Sequence, residues 1–193
     1  MSNTAFAKQT TKECIKEKFL DIYSVTPLAQ ISVSELAKEC HISRSTFYFY
    51  FEDVRTLYRA CEQDVIDRME ANLSDVILCT VTSDFKKFVE TYSNHLKGYI
   101  KYIDVYKCLL NGSEEASFRK AWFESIRRHY EKSMNFSRTA SPSQRDNLTR
   151  YYAGGQLSIL SNWVLTDCRE AAEDIAHISA QVLFQGTFLA KQI

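Results

Sequence analysis

Two prolines and five glycines in 193 residues leave little to interrupt a helix or to turn a strand. That scarcity argues against an all-β chain, and the fold class expected is all-α. Net charge is lacking as well, because 24 basic residues balance 24 acidic ones. Residues 1–58 repeat the balance, with Lys8, Lys12, Lys16, Lys18, Lys38, Arg44 and Arg55 against Glu13, Glu17, Asp21, Glu35, Glu39, Glu52 and Asp53. The basic face that many nucleic-acid binders carry is therefore absent from the composition. No apolar run is long enough to span a bilayer, and no N-terminal signal-peptide pattern is present. A soluble, cytoplasmic protein without a membrane partner is expected.

Chemistry-bearing motifs are equally scarce. The six cysteines lie far apart, with no C-x-x-C pair and no Cys/His grouping at zinc spacing. They read as reduced thiols acting as small hydrophobes. His95, His129 and His177 include no two at ligand spacing on one helix, so neither metal nor cofactor is expected. There is no G-x-G-x-x-G, P-loop, G-x-S-x-G or H-E-x-x-H. No catalytic residue is assigned, and the chain is not read as an enzyme.

What is present is apolar and aromatic: 45% hydrophobic and 13% aromatic residues, ample for a buried core. The most organised stretch is Ile31–Leu57. Ser32 and Glu35 form a capping box, and Val33, Leu36, Ala37 and Cys40 make one apolar helix face. His41-Ile42-Ser43 breaks that helix. Ser43 can cap a second, Arg44 to Tyr50, which buries Phe47 and Phe51 at i and i+4. Ala37 is small where two helices joined by so short a turn must cross. The pattern predicts a helix-turn-helix whose second helix lies in a DNA major groove. Arg44, Ser45, Thr46 and Tyr48 fall on its exposed face. Arg44 suits bidentate pairing with guanine, Thr46 a thymine methyl or a phosphate, and Tyr48 a phosphate or a stacked base. Phe49 is equally well explained as core edge.

At these residues the string SVSELAKECHISRSTFYFYFEDVRTLY resembles the DNA-binding signature of tetracycline-repressor (TetR) family regulators, and the likeness spans most of residues 10 to 58. Matched position by position, it implies DNA contacts from Arg44, Ser45, Thr46, Tyr48 and Tyr50, with Ser34 on phosphate. Two departures stand out. His41 occupies a turn position where many members have Gly, and Val54 replaces the usual Lys at the start of the fourth helix. The phosphate contact expected there is lost or moves to Arg55. The segment YYAGGQLSILSNWVL resembles the C-terminal region of a TetR-like subgroup common in Gram-positive bacteria, which includes dihydroxyacetone-kinase operon regulators.

Elsewhere the periodicity predicts helices throughout. Residues 1–9 read as a loose polar arm, and Thr10 with Glu13 as a capping box opening a helix through Ile15, Phe19 and Ile22. One apolar pattern runs from Asp53 to Val81. A helix from Ser83 or Asp84 is loosened at Gly98, and Asn111-Gly112-Ser113 stops the next. Another follows from Glu114. A polar loop spans Asn135–Ser143, and two helices close the chain, from Gln144 and Arg169, hinged at Asp167-Cys168. The division expected is 1–58, a helix-turn-helix DNA-binding domain, and 59–193, a helical regulatory and dimerisation domain.

Tyr92, His95, Tyr99, Tyr102, Tyr106, Trp122, His129 and Tyr152 supply rings with polar tips, the composition of a mostly apolar ligand pocket. The same spacing also suits an ordinary aromatic core. The last two helices are more apolar than one core-facing side needs, which suggests a homodimer interface through Gly155, Ile159, Trp163, Ile178, Val182 and Leu189. The function expected is a dimeric repressor that binds a palindromic double-stranded DNA operator and responds to a small apolar or aromatic effector. A transcriptional activator or an adaptor controlled by a partner protein is the alternative.

Overall fold

The computed structural model describes the backbone of residues 2–71, 73–134 and 140–190, and the side chains of residues 10–71, 73–134 and 140–184. Among the described residues there is no strand. The helices are α1 (Ser2–Tyr23), α2 (Val33–Glu39), α3 (Arg44–Tyr50), α4 (Val54–Glu70), α5 (Leu73–Val81), α6 (Phe85–Lys101), α7 (Ile103–Asn111), α8 (Glu115–Ser133), α9 (Pro142–Leu165) and α10 (Ala172–Ala190). A short 3₁₀ turn, Leu28–Gln30, follows Pro27. The all-α expectation holds.

Several boundaries differ from the sequence reading, each for a physical reason. α1 starts at Ser2, so Thr10 and Glu13 lie inside the helix and not at a cap. Nothing in the upstream Ala, Lys and Gln residues stops helix propagation. The apolar pattern from Asp53 to Val81 is divided between α4 and α5. Periodicity misses such a break because the residues on both sides keep an inward face. α6 runs through Gly98 without interruption, and a Cβ there would meet nothing within 4 Å. α9 begins at Pro142, inside the stretch read as loop. Ser141 and Gln144 cap it reciprocally, with N–H···O distances of 3.2 and 2.7 Å, and Pro142 sits at the first helical position, where it needs no donor. The expected hinge is real, with Asp167 and Cys168 at φ 61° and 49°. α10 opens beyond it, at Ala172.

Packing divides the chain into two compact units. One comprises residues 1–65 and 108–118, and the other residues 66–107 and 119–193. The division falls within α4, α7 and α8 and differs from the 1–58/59–193 division drawn from motifs.

In the first unit, Ile15, Phe19, Leu36, Phe47 and Leu57 are wholly buried. α1, α2 and α3 pack successively on one another. Lys16 is buried among them and ion-paired with Asp64 and, at 3.5 Å, with Glu13. The distant segment 108–118 belongs here. The Tyr23 hydroxyl accepts the Glu114 N–H at 2.9 Å, the Tyr58 hydroxyl donates to the Glu114 carbonyl at 3.2 Å, and the Leu28 N–H donates to Ser113 Oγ at 3.0 Å. Gly112 lies flat on the Tyr23 ring, where any Cβ would collide with it. Its role is close approach, since its φ is not positive.

In the second unit, α6 packs against α5 and α10. Trp122, Trp163, Leu96 and Leu160 are almost completely buried. All six cysteines are free thiols, and burial pushes Cys40 and Cys108 up to about 11 and Cys61 to about 12. No helix among the described residues is long and apolar enough to cross a membrane.

Candidate nucleic-acid interface and interior cavity

The helix-turn-helix is built by local chemistry. Ser32 Oγ accepts the Glu35 N–H at 3.1 Å and Ser43 Oγ accepts the Thr46 N–H at 3.0 Å, so both helices carry serine N-caps, the Ser32/Glu35 box being present in its serine half. Between them His41 takes φ 52°, the left-handed turn for which glycine is the easier residue. Phe47 is wholly buried and its ring lies 5.9 Å from that of Phe51. This fixes the opposite face of α3 outward. Arg44 and Ser45 are exposed, as is Ser34 on α2, and Tyr48 is 49% exposed. The Arg44 guanidinium donates to the Tyr48 hydroxyl at 3.5 Å, one helical turn apart. Thr46 and Tyr50 are half-buried. The hydroxyls of Ser45 and Thr46 both lie within 2.8 Å of Ser43 Oγ, so the start of α3 presents a hydroxyl cluster. Phe49, left open by the sequence, is the most exposed ring of the helix at 65%. Sequence could not place it, because three successive rings, Tyr48, Phe49 and Tyr50, blur the polar side of a helix of only about two turns.

At the start of α4, Asp53 Oδ1 accepts the Thr56 N–H at 2.6 Å, and that bond holds its carboxyl below the usual range. The Arg55 guanidinium stands 3.9 Å from the Glu114 carboxylate, with both groups partly exposed. The cation expected to replace the missing lysine thus has an acidic neighbour within its own unit.

The second unit contains a partly open cavity of about 40 Å³. Five of the eight expected residues line it: Tyr92, His95, Tyr99, Trp122 and His129. The other three lie elsewhere. Tyr102 lies under the Arg68 guanidinium at 4.8 Å, Tyr106 stacks behind Tyr99 at 5.1 Å, and Tyr152 packs on Tyr130 at 5.8 Å. The rest of the lining includes Met69, Phe88, Ile126, Tyr130, Gln156, Leu160 and Leu183. These residues are unremarkable in sequence and are brought together only by tertiary packing. Burial pushes His95 and His129 down to about 4, so both rings are neutral near pH 7. For His95 a bond to the Ala71 backbone opposes the shift. For His129 the neighbouring His95 and Lys132 add to it and Glu70 opposes it. The buried Nδ1 of His129 has no hydrogen-bond partner among the described residues.

Of the residues expected at a dimer interface, Ile178 and Val182 are 45% and 49% exposed on α10, and Gly155 is exposed on α9. Ile159 is half-buried. Trp163 is a correction. It is 1% exposed, and its indole N–H donates to the Glu170 carbonyl at 2.9 Å, so it closes its own unit and offers no surface. The side chain of Leu189 lies outside the described residues. Among the described residues, no three His, Cys, Asp or Glu side chains converge as a metal site would need.

Residues 89–185 match the family described as a transcriptional regulator C-terminal region, of the TetR type. No curated protein matches the sequence. Among solved structures, the chain is similar over 93% of its length to the dihydroxyacetone kinase operon activator DhaS, covering 97% of that chain at 17% identity and a TM-score of 0.58. It is similar to the fatty acid degradation regulator FadR from Bacillus halodurans at 16% identity and a TM-score of 0.58, over 91% of this chain and 95% of that one. The TetR family repressor AlkX from a Dietzia strain, implicated in n-alkane biodegradation, matches at 13% identity and a TM-score of 0.50, over 92% and 97%.

Proposed function

The chain belongs to the TetR family of transcriptional regulators, and from that premise we propose a homodimeric, ligand-responsive repressor of the cytoplasm. Two copies of α3 enter successive major grooves of a palindromic operator, one helical turn or a multiple apart. The carrying observation is the outward face of α3, where Arg44, Ser45 and Tyr48 stand exposed above the buried Phe47. Arg44 and Tyr48 read or orient on bases, the hydroxyl cluster at Ser45 and Thr46 and the exposed Ser34 meet phosphates, and Tyr50 supports the edge of the contact. Phe49 joins this list as an apolar contact, since a ring so exposed on a short helix has little other use. Arg55 reaches phosphate only by leaving Glu114.

Dimerisation uses the exposed stripe of Ile178 and Val182 on α10 with Gly155 and Ile159 on α9, so that two helices from each copy form a four-helix bundle. The cavity receives a small, mostly apolar effector. At about 40 Å³ it is far below the roughly 300 Å³ of a filled ligand pocket, so the effector must displace side chains, Met69 being the most pliable. That remodelling favours a head spacing that no longer fits the half-sites. DhaS is titled an activator and AlkX a repressor. Operator position decides between these, and the binding chemistry is the same.

Selection of duplexes from a random pool by the purified protein tests this reading. A two-fold symmetric sequence is expected, its half-sites about 10 base pairs apart or a multiple of that. A pool that stays unenriched after repeated rounds removes operator binding.

A further inference from the structure

Building on the effector-binding reading of the second unit, we propose that its cavity selects an uncharged, largely apolar molecule with one or two hydrogen-bonding groups, such as an alcohol, ester, amide or phenol, and rejects the carboxylate of the same skeleton. Among the described residues, the lining contains no Lys, Arg, Asp or Glu. Its only ionisable groups of near-neutral range, His95 and His129, are held uncharged by burial. Charges adjoin the cavity in two neighbouring clefts: one shares His95 with its wall and holds Arg68, Asp75, Lys87 and Glu90, and the other shares Leu73, Ser125 and His129. There Glu70 takes a bond from Ser125 at 2.7 Å and pairs with Arg128 at 2.8 Å, leaving neither directed at the cavity's interior. An anion inside would lose its hydration without gaining a cation.

Polar residues of the lining have neutral hydrogen-bonding capacity to spare. Gln156 is fully engaged. Its Nε2 donates to the Tyr92 hydroxyl at 2.9 Å and to Ser179 Oγ at 3.3 Å, while its Oε1 accepts from Tyr130 at 3.4 Å. The Tyr92 oxygen is therefore an acceptor, and its own O–H is left to donate. Tyr99 stands in the same position, its oxygen bonded by the Trp122 side chain. His129 Nδ1 is buried without a partner among the described residues, and a neutral imidazole can present it as donor or acceptor by choice of tautomer. Two phenolic donors and one ambivalent nitrogen among apolar walls suit a carbonyl or hydroxyl oxygen. A ligand of this kind also relieves the orphaned nitrogen, which a bare hydrocarbon would not.

The test uses the full-length protein at pH 7.5 and matched sets differing only at the polar end: decanol, methyl decanoate and decanoate, and 4-phenylbutanol, methyl 4-phenylbutyrate and 4-phenylbutyrate. Displacement of the neutral dye Nile red reports binding. The alcohol or ester of at least one set should bind ten-fold or more tightly than its acid. Leu160→Trp, which fills the cavity, should abolish binding, with Ile126→Trp as a second filling variant if the first does not fold. His129→Phe should weaken the alcohol and ester several-fold. An acid that binds as well as its alcohol and ester overturns the selectivity while leaving the cavity as the effector site. That result would place its carboxylate in one of the charged clefts beside the cavity wall. If none of the six binds, or binding survives both filling variants, the selectivity and the cavity reading fall together.

Discussion

The two units display their working chemistry in opposite directions. In the first, the rings and polar groups assigned to function stand outside, on α3, and the interior is ordinary core: Ile15, Phe19, Leu36, Phe47, Leu57. In the second they are inside, around a cavity lined by neutral histidines and tyrosines, and the outer surface assigned to function is the apolar Ile178 and Val182 of α10. The contrast follows from the partners. A phosphate backbone stays hydrated and is met at a surface, whereas a small apolar molecule repays binding only where water is excluded. Changes on the outside of the first unit should therefore alter affinity and spare stability, and changes in the lining of the second should do both.

The largest effect is expected from the stripe. Ile178→Asp combined with Val182→Lys should give monomers by light scattering. It should lower operator affinity by roughly 10²–10⁴-fold, because each head must then bind alone. A soluble dimer with unchanged affinity would move the interface elsewhere.

The histidines give the next effect, in stability. Their folded pKa values, about 4, lie below the ordinary 6.5, so the unfolded chain binds more protons between these values. The stability tied to their neutral state is complete above pH 6.5 and is lost as pH falls toward 4, to a limit on the order of 3 kcal/mol for each buried ring. Denaturant midpoints at pH 7.5 and 5.0 measure it. His129→Phe should flatten the decline, and an unaltered slope would deny that ring its neutral burial.

Arg44→Ala should cost about 1–3 kcal/mol on the selected duplex and much less on a scrambled one, with stability changed by less than about 0.5 kcal/mol. An unchanged ratio between the two duplexes in mobility-shift titrations would remove Arg44 from base reading. The smallest effect concerns α4. Val54→Lys adds a cation beside the helix N-terminus that Asp53 already caps. It should tighten specific and non-specific binding alike and steepen the salt dependence by about one unit, since phosphate contacts carry no sequence information. If affinity and slope both stay put, this end of α4 does not face DNA.

How much of this was legible in the sequence follows from how local each feature is. Ser32, Ser43 and Asp84 announce their caps within three residues, and Phe47 with Phe51 sets the phase of α3. Ser141 and Gln144 make the same local announcement, masked by Pro142, which reads as a loop residue although it opens α9. The docking of segment 108–118 was beyond reach, since nothing in Asn111-Gly112-Ser113 names Tyr23 or Leu28 as its neighbours. The cavity was half visible. Aromatic spacing found five of its walls, but it could not tell Tyr99, which faces in, from Tyr102, which lies under Arg68. Trp163 looked like an interface residue because its helix is apolar on several sides, and only the bond to Glu170 shows where it points.

The proposal that the interior of one unit governs the surface of the other is tested most directly by linkage. The dissociation constant for the selected duplex is measured with and without a saturating amount of the tightest neutral compound from the matched sets. The constant for that compound is then measured with and without the duplex. The two ratios should be equal, each a weakening of roughly 5–150-fold, and in Leu160→Trp, which no longer binds the compound, adding it should leave the duplex constant unchanged. A duplex affinity indifferent to the occupied cavity would contradict the account.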